Sequence, residues 1–104
     1  MTILPAKEAH KKWRDHVLKH YLDFVPAEKE SAIAKLIERA NDGGCAYAVY
    51  DNVWEGEIYN GRPLAMSICT YLNAMGYNAE FSKSAVDPER INIQIRWDKP
   101  KEDW

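Results

Sequence analysis

The chain has 104 residues, enough for one domain with a modest core. Apolar residues make up 46% and charged residues 29%, the balance of an ordinary globular protein. The net charge of −2 gives no general attraction to nucleic acid or anionic membrane, and no apolar run approaches the roughly 20 residues that cross a bilayer.

The opening stretch MTILPAKEAHKKW lacks the long apolar core and small-residue cleavage site of a secretory signal. A cytosolic location is therefore expected. Pro5 suits the start of a helix, where its missing N–H is not needed. From there Ala6, Ala9, Trp13, Val17, Tyr21 and Phe24 recur at three- and four-residue spacing, one apolar stripe on a helix. Lys7, Lys11, Lys12 and Arg14 make its other face basic near the start. Pro26 interrupts that helix or begins a new one. Glu28 and Glu30 then sit near a helix N-terminus and Lys35 and Arg39 toward the C-terminus, the signs the helix dipole favours. Ile33, Leu36, Ile37 and Ala40 carry the second stripe, and Asn41-Asp42-Gly43-Gly44 stops it.

Cys45 to Tyr50 reads as a strand with Cys45, Tyr47 and Val49 on one face and Ala46, Ala48 and Tyr50 on the other; the pattern leaves open which is buried. Asp51 to Arg62, DNVWEGEIYNGR, fits a loop or a small extra hairpin turning at Asn60-Gly61. Pro63 opens a third helix with the stripe Leu64, Ile68, Tyr71, Leu72 and Met75, ended by Gly76. Tyr77, Ala79 and Phe81 alternate with Asn78, Glu80 and Ser82 in a second strand, and Ser84 to Glu89 is a hairpin loop. The last strand runs from Ile91 to Trp97, with Ile91, Ile93, Ile95 and Trp97 on one face and Asn92, Gln94 and Arg96 on the other. That alternation belongs to a sheet with one covered and one wet face. Residues 98–104 form a polar tail ending in Trp104.

The expected fold is a single α+β domain over residues 1–104, of two layers in the order α-α-β-α-β-β. Its helices pack on one face of a three-stranded mixed or antiparallel sheet, with the first strand beside the third. Cys45 and Cys69 are too far apart for a zinc motif and are expected as two reduced, buried thiols; a disulfide or a reactive thiol are the alternatives.

These motifs resemble a group of small proteins encoded by tailed bacteriophages. The resemblance lies in Ala6-Lys7-Glu8-Ala9; in Ile33, Ile37, Ala40 and Gly43; in Leu72, Gly76 and Tyr77; and in Ile95 with Trp97. It spans nearly the whole chain. It implies a phage origin, an α+β fold and work in the host cytoplasm, and it carries no catalytic residues across. DNVWEGEIYNGR is longer and more aromatic than such proteins usually have at that point, which marks it as specific to this chain.

Four groups of residues have types that could carry chemistry. His16 and His20 are four apart, a spacing zinc sites use, but further ligands have no evident route to them. Ser67, Cys69 and Thr70 lie on the third helix without a nucleophile-elbow frame, and Cys69 fits packing. Glu55 and Glu57 are two apart and would face the same way in a strand, where they could flank a substrate; solvated loop charges are the commoner case. Lys7, Lys11 and Arg14 share a helix face that could touch phosphates, against the overall negative charge. No catalytic residue, metal or cofactor is assigned. Trp54 and Tyr59, with Arg62 beside them, are residue types that anchor interfaces. The expected binding residues are Trp54, Glu55, Glu57, Tyr59, Arg62 and Arg96.

The expected function is therefore that of a small non-catalytic phage accessory protein that binds a host or phage protein and inhibits or modulates it. One alternative is a sponge-type module for a nucleotide, with Trp54 or Tyr59 stacking on the base and Arg62 or Arg96 holding phosphate. Another is a minor virion or assembly component. A homodimer fits as well, since a three-stranded sheet has edges that pair between subunits.

Overall fold

A computed structural model describes residues 2–99; Pro100 to Trp104, including the tail's tryptophan, lie outside the described residues. The fold is α+β. Three helices, α1 (Ala6–Lys19), α2 (Ala27–Asp42) and α3 (Leu64–Ala74), accompany a three-stranded antiparallel sheet of β1 (Tyr47–Trp54), β4 (Asn78–Lys83) and β5 (Arg90–Arg96). A second, two-stranded sheet, β2 (Ile58–Tyr59) and β3 (Arg62–Pro63), is the hairpin within DNVWEGEIYNGR.

Each helix begins just after a proline: Pro5, Pro26 and Pro63 are the N-caps, with φ between −55° and −59°. Proline has no N–H to leave unpaired there, and its carbonyl still accepts, from Ala9 N–H at Pro5 and Glu30 N–H at Pro26, both 3.0 Å. α2 ends where Gly44 takes a left-handed φ of +78° and Cys45 N–H reaches back to the Ala40 carbonyl at 2.8 Å.

The first helix is shorter than its apolar repeat predicts. It ends at Lys19, and Tyr21–Asp23 form a separate 3-10 turn. Pro26 disfavours helical backbone at the residue before it, so the chain turns and buries Val25 completely. Tyr21 stacks on Tyr71 of α3, ring centroids 5.9 Å apart, and Tyr71 O–H lies 3.5 Å from Glu30 Oε1 of α2.

Strand order is β1-β5-β4, so the first and last expected strands are neighbours. α3 carries the chain from β1 to β4 and leaves the space between them for β5. α2 packs against β1, α3 against β4 and β5, and α1 chiefly against α3. Tyr50, Ile93 and Phe81 form one row across the covered face, and Ala48, Ile95 and Ala79 the next. Ile93, Ile95, Val53 and Ile68 are fully buried. Leu64, Ile68, Tyr71 and Leu72 of the third stripe are buried too, whereas Met75 is about half exposed.

The first strand is longer than expected. A register shift between Tyr50 and Val53 keeps it paired past Asp51-Asn52. The extra residue of a bulge lets both Tyr50 and Val53 face the core although they are three apart. Cys45 lies ahead of this strand and is exposed, which corrects the expectation of two buried thiols; Cys69 is buried. Trp97 is half-buried on the core, edge-on to Tyr77 at 5.8 Å, with its indole N–H on Asn41 Oδ1 at 2.9 Å.

Both outer edges of the sheet are partly closed by side chains. Backbone groups of an antiparallel edge strand point outward on alternate residues. On β4 the Ser84 N–H bond to the Arg90 carbonyl, 2.9 Å, turns the backbone groups of Ala79, Phe81 and Lys83 away from β5. The Asn73 amide closes Ala79 on both sides: its Nδ2 donates to the Ala79 carbonyl at 3.1 Å and its Oδ1 accepts from Ala79 N–H at 3.0 Å. Asn73→Ala would strand both groups and is expected to cost about 1–3 kcal/mol. Asn73→Asp keeps an acceptor alone and should fall between. Thermal denaturation of the three proteins checks this order, and an Asn73→Ala variant as stable as the parent would strip the plug of its role.

Candidate functional site

Each expected binding residue is held by a partner within the chain, Trp54 with Glu57, Tyr59 beside Arg62 in the small hairpin, and Arg96 apart from both. Trp54 ends β1 on the solvent face, 41% exposed, with the Arg90 guanidinium 4.7 Å from its ring centroid. Its outward N–H donates to Glu57 Oε1 at 3.2 Å and its carbonyl accepts from Glu57 N–H at 3.1 Å. Glu57 Oε2 is 3.8 Å from Lys29 Nζ, and that ammonium donates to the Asn52 carbonyl at 2.8 Å. Glu55 turns instead to Lys83, 3.1 Å away. The two carboxylates thus have separate partners and are not the same-facing pair that a strand would give; residues 55–56 are a turn.

Tyr59 and Arg62 are the two ends of a clasp. Asn60 and Gly61 both have positive φ, 51° and 75°, the two-residue turn that asparagine and glycine favour. The turn is pressed onto the segment between α1 and α2. Tyr59 O–H donates to the Leu22 carbonyl at 2.6 Å, Asn60 Nδ2 donates to the Asp23 carbonyl at 3.1 Å, and the Arg62 guanidinium lies 4.3 Å above the buried Phe24 ring. The aromatic insertion is thus an anchor for the turn that Pro26 forces. Tyr59→Phe is expected to cost about 1 kcal/mol, since it leaves the Leu22 carbonyl without its donor. Faster amide hydrogen exchange at 58–62 would report the loosened clasp; unchanged exchange and stability would remove the hydroxyl from this account.

Arg96 belongs elsewhere. It pairs across β5 with Tyr47, and its guanidinium is 3.9 Å from Asp98. Six residues of extended chain, roughly 20 Å, separate it from Arg90 and Trp54. The solvent face of the sheet therefore has a central row of Arg90, Asn92, Gln94 and Arg96, with Trp54, Val49 and Tyr47 on one side. Glu80 and Ser82 lie on the other, and Gln94 Nε2 donates to Ser82 Oγ at 3.1 Å.

No protein-family model, curated protein or solved structure matches this chain.

The histidine pair does meet: the His16 and His20 rings are 4.7 Å apart at the end of α1. Among the described residues, however, no three of His, Cys, Asp and Glu gather as a metal ion would need. No helix among them is long and apolar enough to cross a membrane.

One surface was missed because its residues read as core. Of α1 only Val17 is buried. Ala6 and Ala9 are exposed, Trp13 is 39% exposed, and Ile3 and Leu4 just before the helix are 92% and 43% exposed. Lys7, Lys11 and Lys12 beside them are exposed as well. Apolar periodicity identifies a stripe but not whether anything covers it. The basic run alongside was the available signal, since a basic amphipathic helix also serves as a binding element.

Proposed function

We propose that this chain is a small non-catalytic accessory protein, of phage type, that acts in the host cytoplasm by binding another protein through the start of α1. The observation that supports this is the uncovered stripe of Ile3, Leu4, Ala6, Ala9 and Trp13. An amphipathic helix offers such a stripe to an apolar groove, and tryptophan is a frequent anchor. Charge adds a direction. Residues 2–20 hold Lys7, Lys11, Lys12, Arg14 and Lys19 against Glu8 and Asp15, a net +3, while the chain as a whole is −2. The partner is therefore a host or phage protein with an acid-rimmed groove, which the chain inhibits or modulates.

Capture from host lysate tests the reading, with the parent protein compared with the pair Leu4→Ser and Trp13→Ala. These positions are exposed, so the fold should survive, and a matching melting temperature verifies it. One protein retained at stoichiometric amount by the parent and by Trp54→Ala, and lost by the pair, is the expected result. Capture unchanged by the pair, or no capture at all, would defeat it.

A second reading takes the solvent face of the sheet as a nucleotide platform. It is supported by register, which sets Tyr47 beside Arg96 and Trp54 beside Arg90. A stacking ring and a cation are then adjacent at each end. A ligand that binds only the folded protein raises its melting temperature, so a thermal-shift screen with nucleotides decides this reading.

A further inference from the structure

We infer that two copies of this chain associate through the edge of β1, about a two-fold axis at Ala48. This stands apart from the partner reading above, which uses Ile3 to Trp13 and no residue of β1.

The edges of the sheet differ in what is left open. Trp97 N–H donates to the Ala46 carbonyl at 3.0 Å, so Ala46, Ala48 and Tyr50 turn their backbone groups toward β5, and Tyr47 and Val49 turn theirs outward. Further along β1 the edge is closed. Lys29 takes the Asn52 carbonyl, and Glu57 takes both groups of Trp54. On β4, Asn73 closes Ala79. Among the described residues, the outward groups of Tyr47 and Val49 on β1, and of Phe81 and Lys83 on β4, meet no such partner.

Charge separates these two openings. The β4 opening contains Lys83, held by Glu55 at 3.1 Å, with Glu80 nearby. A lysine on an edge strand guards it against pairing. The β1 opening, Tyr47-Ala48-Val49-Tyr50, has no charge, and its outer side chains Tyr47 and Val49 are 49% and 37% exposed.

That stretch is complementary to itself. In an antiparallel pair centred on Ala48, Tyr47 faces Val49 of the second copy and Val49 faces its Tyr47. Those two pairs exchange four main-chain hydrogen bonds, and aromatic against β-branched is a favourable cross-strand match. On the helix-covered face Ala48 meets Ala48, and Tyr50 meets the small Ala46. No charge within Ala46–Tyr50 meets its like, so the contact is isologous without repulsion. The product is one six-stranded sheet with strand order β4-β5-β1-β1-β5-β4.

The size of the contact sets its strength. Four hydrogen bonds, at one per 100–200 Å² of interface, correspond to roughly 400–800 Å². Stable interfaces bury about 1,200 Å² or more. The dimer is therefore weak and dependent on concentration.

Sedimentation of the full chain from about 10 μM to about 1 mM, the range of a weak complex, should show the mass rising from 12.0 kDa toward twice that. Over the same range the Tyr47 and Val49 amides should gain protection from hydrogen exchange, and those of Phe81 and Lys83 should not. Tyr47→Lys with Val49→Lys sets lysine against lysine and should weaken association at least tenfold. Mixing that protein with the Tyr47→Glu, Val49→Glu form should restore it, and Phe81→Lys should leave it unchanged. A parent protein that stays monomeric at the highest concentration overturns the inference. So does loss of association in Phe81→Lys, or protection that appears on β4 instead. The exchange measurement uses the parent alone, so it decides the matter even if a lysine variant fails to fold.

Discussion

Ile93→Ala is expected to remove about 2–5 kcal/mol of stability. Ile93 is fully buried at the middle of the central strand, between Tyr50 of β1 and Phe81 of β4. Strands on both sides fix the backbone around it, so the space left by three carbons cannot collapse, and the cavity adds to the lost transfer energy. A chain of this length has about 5–15 kcal/mol in total, so this one change would remove a large share. Urea denaturation gives the measurement: the midpoint should fall with little change in slope. Ile3→Ala serves as the control, because Ile3 is 92% exposed and its truncation should change little. A loss below about 1 kcal/mol for Ile93→Ala would mean that the core is not organised around β5.

Stability is also expected to fall steeply above pH 9. Burial, with a smaller contribution from the Glu80 charge, pushes the Cys69 thiol up from 9.0 to about 12. Burial and then the Glu30 carboxylate push the Tyr71 hydroxyl up from 10.0 to about 12, and burial raises Tyr50 as well. The sign follows from proton counting. Below pH 9 the thiol is protonated in both states and costs nothing. Between pH 9 and 12 the unfolded thiol releases its proton while the folded one keeps it, so rising pH favours unfolding. Three pH units at 1.36 kcal/mol each put the Cys69 share at about 4 kcal/mol by pH 12. Urea midpoints at pH 8, 9.5 and 11 should therefore decline, and Cys69→Ala should flatten the decline by one proton's worth. Equal slopes for the two proteins would exclude Cys69 as a source. Thiol labelling offers an independent check. Exposed Cys45 should react in the folded protein, and Cys69 only on unfolding, because the thiolate is the reactive form.

Much of the frame was legible because it rests on local chemistry. The strict alternation from Ile91 to Trp97 predicted β5 and its two faces, and Ile93 and Ile95 are indeed fully buried. Asn60-Gly61 predicted a turn because those residues tolerate positive φ. Prolines 5, 26 and 63 marked helix starts because they lack an N–H. The first strand runs past its expected end because Asp51-Asn52, a pair with the composition of a turn, lies in a bulge. The candidate site fared differently. Tyr59 and Arg62 have the composition of an interface, and composition cannot tell an outward anchor from a clasp that closes on its own chain.

Periodicity, turn residues and helix-start signals act over a few positions, so the order of residues alone determined where helices and strands form and which face of each is apolar. Whether an apolar face is covered depends on contacts between residues far apart in the chain. Only the tertiary structure decided that Tyr59 meets Leu22, that Asn73 closes Ala79 on β4, and that the stripe at Ala6, Ala9 and Trp13 stays in water. The physical reason is that burial belongs to a pair of surfaces, and a stretch of sequence specifies just one of them.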